Sequence, residues 1–214
     1  ASSTLSSGSG AINLASATDG GSSFTLTVGD ASQTGAVTIA GNLTVNGLGT
    51  GSSNYNVILQ GSANVVDTDT TFSNTGTVTL GDASGDSTTF TGGLDTTAAS
   101  GGTNLAGSVI TTNQQMDLSA ATLTADATLK SGNAAINLAS ATDGGSSFSL
   151  DLGDAAQTGA VTIAGNLTVN DLNTFAGAYA VSLLGGGTVT NAATFLNTGT
   201  TQIGDATADT NTFN

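Results

Sequence analysis

The chain has 214 residues and 15 acidic groups, every one an Asp, against a single cation, Lys130, for a net charge of −14. It lacks Glu, Arg, His, Cys, Pro and Trp. With a single cation to replace phosphate counterions, nucleic-acid backbones and anionic membrane surfaces are excluded as partners. Glu, Lys and Arg are the ordinary surface residues of helices, so their near absence argues against a helical domain. Asp, Asn, Gly, Ser and Thr suit turns and strands instead. Apolar residues make up 37% and aromatics 4%, enough for a narrow interior rather than a bulky core. No disulfide is available, and no apolar run approaches the roughly 18 residues of a membrane span.

Periodicity places strands at Ile12–Leu14, Phe24–Val28, Val37–Ile39, Leu43–Val45, Val57–Leu59, Thr77–Leu80 and Ser108–Thr111. Comparable strands are spaced about 20 to 30 residues apart, the length of one turn of a parallel β-helix. Residues 12–48 return nearly unchanged at 136–172, an offset of 136 − 12 = 124. The match then loosens and one residue is dropped, so that Phe72 corresponds to Phe195. Between the copies, Phe24, Leu26 and Val28 become Phe148, Leu150 and Leu152, while Thr25 and Thr27 become Ser149 and Asp151. Retention of every second residue is the mark of a strand with one buried and one wet face. Phe24, Leu26, Val28, Val37, Ile39, Leu43, Val45, Val57 and Leu59 are therefore expected inside, with Thr25, Thr27, Thr38, Thr44 and Ile58 outside.

These features predict an all-β fold: a right-handed parallel β-helix (β-solenoid) with a long repeat of about 124 residues and no caps. One continuous segment is expected over 1–214, framed as repeats 11–134 and 135–214, the second incomplete. Each repeat should hold five or six coils. Tandem β-sandwiches and a β-prism-like stack are the competing architectures, and the absence of Pro and Trp speaks against sandwiches. Ala1 aligns with Ala125 inside the repeat, and neither end carries a capping signal, so a stretch of a longer filament or head-to-tail self-association is expected. The residues include no initiator Met and no signal-peptide pattern, as expected of a matured product or an internal piece.

Catalysis finds little support. There is no His to serve as base, and the position of Lys130 is held by Ser6 in the first copy. A two-carboxylate glycosidase could be built from Asp alone, but most Asp recur in both copies. The Asp pairs are the best ligand candidates. Asp82 and Asp86 recur as Asp205 and Asp209, Gly29-Asp30 as Gly153-Asp154, and Asp67-Thr68-Asp69 offers two more carboxylates. Asp after Gly ordinarily closes a turn through its own backbone, with calcium at Asp82, Asp86, Asp205 and Asp209 as the alternative. No other cofactor is indicated. The recurring Asn13, Asn42 and Asn46 (Asn137, Asn166 and Asn170) suggest stacked amide ladders. Phe24, Phe72 and Phe90, with Phe148, Phe195 and Phe213, suggest interior or corner packing, a carbohydrate platform being the alternative. An ice-binding face would need a regular Thr array, and Thr25 and Thr27 lose that regularity in the second copy.

The runs Gly35-Ala36-Val37-Thr38-Ile39-Ala40-Gly41-Asn42-Leu43-Thr44-Val45-Asn46 and Asn74-Thr75-Gly76-Thr77-Val78-Thr79-Leu80-Gly81-Asp82 resemble the β-strand repeats of giant bacterial surface proteins. These are the filamentous-haemagglutinin-like and autotransporter-passenger adhesins. The resemblance implies a right-handed β-helix outside the cell, serving as an adhesin or fibre shaft, with cell-surface glycans as partners. It supplies no binding residue to carry over. The competing expectation is a surface-layer or matrix protein whose solenoids associate laterally through calcium.

Overall fold

The computed structural model describes all 214 residues. Short Val-, Leu- and Ile-centred segments form strands because alternate residues can be buried while the rest face water. Turns rich in Gly, Ser and Asp end most strands within two to four residues. Every pairing between strands is parallel, and no helix occurs. The strands fall into three columns, so that each turn of chain lays down one strand on each of three faces, building a β-solenoid of about 10 turns.

The first face begins with Ser3–Leu5, Thr25–Val28 and Gly47–Thr50. It continues through Thr70–Thr71, Leu94–Asp95, the start of Met116–Lys130, the start of Ile136–Thr142, Val161–Ile163, Val181–Leu183 and Thr201–Ile203. Between Gly47–Thr50 and Thr70–Thr71 the ladder is interrupted, and the turns are joined there by Thr68 N–H to the Asn46 carbonyl and Ser73 N–H to Thr50 Oγ1. The second face runs Ile12–Leu14, Val37–Ile39, Val57–Leu59, Val78–Leu80, the start of Thr103–Thr111 and onward to Asn211–Phe213. The third starts at Ala17–Thr18, Leu43–Val45, Ala63–Val66 and Ser87–Phe90 and ends in Gly187–Thr194. Met116–Lys130, a strand of 15 residues, crosses all three faces. Successive turns on the second face take from 18 residues (Thr103 to Ala121) to 26 (Ala141 to Leu167), so the shortest turn falls below the expected range.

The two copies of the long repeat do not lie above one another. Ile12–Leu14 pairs on the second face, but Ile136, Asn137 and Leu138 pair on the first. Thr25–Val28 lies on the first face and Ser149–Leu152 on the third. Leu43–Val45 lies on the third and Leu167, Thr168 and Val169 on the second. The period of 124 residues thus spans five and two-thirds turns, and each copy is rotated by a third of a turn. At about 4.8 Å per turn the same rotation advances the axis by roughly 27 Å.

A core of 39 buried residues fills the interior. Val28, Val37, Ile39, Leu43, Val45, Val57 and Leu59 face it as expected, and Thr38, Thr44 and Ile58 face outward. Leu26 is half-buried against the core. Phe24 departs from the expectation at 40% exposed. The strand there is Thr25–Val28, and Phe24 stands in the preceding corner, where the third face has no earlier turn beneath it. Phe72 and Phe90 are buried and meet edge to face with ring centroids 6.0 Å apart; Phe195 and Phe213 repeat the contact at 6.2 Å. The amide ladders expected of the recurring Asn do not form, because recurrence and stacking follow different periods. Asn13 is registered with Thr38, whereas Asn137 donates to Asp117 Oδ1 at 2.8 Å. Asn42 instead accepts from the Ala63 backbone at 3.1 Å.

Candidate functional site

The Asp82–Asp86 loop links the second face to the third, and the Asp205–Asp209 loop links the first to the second. In each, the second carboxylate closes the turn. Asp86 Oδ2 accepts the N–H groups of Asp82 at 2.8 Å and Ala83 at 2.9 Å. Asp209 Oδ2 accepts those of Asp205 at 2.9 Å and Ala206 at 2.8 Å. Burial opposes ionisation of Asp86, but these N–H donors and a hydrogen bond from Asp82 outweigh it and lower its pKa. Asp82 moves the other way, raised by loss of water and then by the neighbouring Asp86 carboxylate. A calcium ion takes six to eight oxygens, and each loop offers two carboxylates, one already committed to the backbone. Nowhere are three or more acidic side chains grouped to hold a metal. A chelator is expected to leave the melting temperature unchanged in calorimetry, whereas a drop that Asp86→Asn with Asp209→Asn abolishes would assign a bound cation to these loops.

Acidic residues do come together on the first face, where sequence reading did not place a site. Asp95 and Asp117 are registered neighbours on adjacent turns, about 4.8 Å apart along the column. With Asp69, Gln114 and Gln115 they line an open recess of about 370 Å³. That spacing is near the separation used by retaining glycosidases. Their oxygens are already engaged, however. Asp117 receives Gln115 Nε2 at 3.0 and 2.8 Å and Asn137 Nδ2 at 2.8 Å. Asp95 Oδ1 accepts the Thr97 N–H at 2.8 Å and its hydroxyl at 2.6 Å. Amide and hydroxyl donors thus offset the repulsion between stacked carboxylates. Only stacking register could have revealed the pair, since Asp95 and Asp117 lie 117 − 95 = 22 residues apart, about one turn.

The most elaborate polar arrangement is structural and occurs twice. Tyr55 is buried, donates to the Val28 carbonyl at 2.7 Å and accepts the Gly51 N–H at 2.8 Å. Tyr179 does the same with Leu152 and Phe175 at 2.7 and 2.8 Å. Beside them Gln33 and Gln157 are fully buried and stitch neighbouring turns: Gln33 donates to Gly10 and Gly35 carbonyls, and Gln157 to Ala134 and Gly159. Sequence reading missed the roles of both pairs, although recurrence of Tyr and Gln at the repeat offset was their signal. No protein-family model matches the chain, and neither a curated protein nor a solved structure shows significant similarity to it.

Proposed function

We propose that the chain is a structural shaft of an extracellular bacterial filament or adhesin, without catalytic activity, as the strand-repeat resemblance implies. The observation that carries this reading is the near-identical repeat advancing by five and two-thirds turns. Such a repeat duplicates its surface on two faces of a rod and leaves few features unique to one place. A shaft benefits from that redundancy, whereas a catalytic cleft needs a single local asymmetry. The acidic recess on the first face, unique in the chain, holds the carboxylates of Asp95 and Asp117 in hydrogen bonds from amide and hydroxyl donors and brings no cationic base to them. Partners under this reading are further turns or copies of the same solenoid along the axis, and neutral cell-surface glycans.

Protease treatment of intact producing cells tests the proposal. Loss of the chain from washed cells, with cytosolic markers intact, is the expected result. Protection of the chain until the cells are lysed would overturn it.

A further inference from the structure

The second face differs from the other two in its outward chemistry. Its central outward row runs Asn13, Thr38, Ile58, Thr79 and Asn104 and then five consecutive threonines, ending at Thr212. Thr thus fills seven of the ten positions of this row, a run that comparison of the copies did not reveal because a row is made by adjacent turns and not by the 124-residue repeat. The residues two before and two after each member of the row are Ala, Gly, Ser, Thr, Asn or Gln without exception. All 15 Asp and Lys130 lie elsewhere: Asp95 and Asp117 on the first face, Lys130, Asp151 and Asp171 on the third, the rest in corners and loops.

We infer that the second face is a lateral docking surface for a second copy of this chain. Two molecules of net charge −14 repel, and contact through either other face would add the carboxylates of Asp95 and Asp117 or of Asp151 and Asp171 to the interface. The second face alone lets two rods meet without opposed charges. Both partners carry the same rise of about 4.8 Å per turn, so the small outward side chains of one row fit between those of the other. Nine such spacings by about 14 Å of strand width give roughly 600 Å² per copy, or about 1,200 Å² in total, the lower bound of specific interfaces. A twofold axis across the rods makes the contact self-complementary and closed.

The inference rests on the structural role proposed above and fails separately, since it is tested on purified protein rather than on cells. Sedimentation velocity and small-angle scattering of the full chain in chelator should show a concentration-dependent species of doubled cross-section. Added salt should leave this association unchanged or strengthen it by screening the net charge. Thr122→Asp with Thr168→Asp, two turns apart in the row, should weaken association more than tenfold, with the melting temperature retained because both side chains point outward and do not stack on each other. Thr122→Asn with Thr168→Asn, which adds no charge, should weaken it less. Thr162→Asp on the first face should leave it intact. A monomer of single width at every concentration, growth in length alone, a requirement for calcium, or equal loss in Thr162→Asp would overturn the inference. So would a monomer that binds ice or an insoluble neutral glycan through the same threonines.

Discussion

The two copies of the long repeat are one sequence folded twice on different sides of the same rod. What survives the rotation is local. The Gly29, Gln33 and Tyr55 corner is reproduced in Gly153, Gln157 and Tyr179, hydrogen bond for hydrogen bond. What changes is set by the turns above and below. Thr27 lies under Gly49 in the first copy, where a Cβ on Gly49 would come within 3.1 Å of Thr27 Oγ1. In the second copy Asp151 lies under Asn173, whose Nδ2 donates to it at 2.8 Å. Likewise Gly47 is replaced by Asp171, and Asp67 by Asn191, which donates to Asp171 Oδ1 at 2.8 Å. Differences between the copies therefore come as vertical pairs, the smallest unit of a stacked sheet.

The corner module gives the largest expected contrast. Gly29 has φ of +74°, and a Cβ there would stand 2.6 Å from the Tyr55 ring and hydroxyl. Gly153 has φ of +85°, and its Cβ would stand 2.9 Å from Cβ and Cγ of Gln157 and 3.1 Å from the Tyr179 hydroxyl. Backbone strain is common to both, and the overlap is deeper in the first, where the atoms met belong to a rigid ring. Gly29→Ala should cost about 3–4 kcal/mol and Gly153→Ala about 2 kcal/mol in denaturant unfolding. Equal losses would show that the two corners are packed alike.

Removing the hydroxyl should instead affect both copies equally. Tyr55→Phe and Tyr179→Phe each strand a buried carbonyl and a backbone N–H, at a cost of about 1–3 kcal/mol. Additivity in the double variant is expected, since the two corners share no partner. A large difference between the single variants would mean that the hydrogen bonds do not survive the rotation.

Strand positions and facing were legible because burial imposes a period of two on each segment, as in Val37-Thr38-Ile39 and its copy. The facing of Phe24 was not, since a corner residue depends on whether a turn lies beneath it. Nor were the strands across tight corners, such as Met116–Lys130, whose outward Ala and Thr carry no strong alternation with their neighbours. The acidic pair Asp95 and Asp117 and the threonine row of the second face escaped for one reason. Both arise from the length of a turn, about 22 residues, which varies with each loop, while the visible period of 124 is not a whole number of turns. Turn closure by Asp30 and Asp154 was legible because Asp after Gly bonds its own loop, whereas in the Asp82 and Asp205 loops the closing carboxylate is the later one, Asp86 or Asp209.

A double-mutant cycle sharpens the account of vertical pairs. Thr27→Asp alone places a carboxylate under Gly49 with no amide to meet it. Adding Gly49→Asn recreates the Asp151–Asn173 pair on the first face. The coupling between the two substitutions should be favourable by about 1 kcal/mol, as for a charge-assisted bond on a half-exposed surface. No coupling would mean that the copies diverged one position at a time.

The smallest contrast lies in the loop after Gly29. Asp30 is pulled down to about 2 by the Ser32 hydroxyl first, then by the Ser6 hydroxyl and the Ser32 N–H. In the second copy Ser32 is replaced by Ala156 and Ser6 by Lys130, leaving Asp154 Oδ1 with the Ala156 N–H at 2.8 Å. A folded-state pKa below the unfolded value gives stability that is fully present above about pH 4 and is lost as pH falls through about 2. The carboxylate is solvent-exposed, so the effect on stability is small and is best read at the group itself. A carboxyl titration followed by NMR should place the Asp30 inflection near pH 2. Ser32→Ala should move it up toward the ordinary carboxylate value, because it removes the strongest donor while the backbone N–H remains. An inflection unmoved by Ser32→Ala would assign the lowered pKa to the Ser6 hydroxyl and the turn backbone instead.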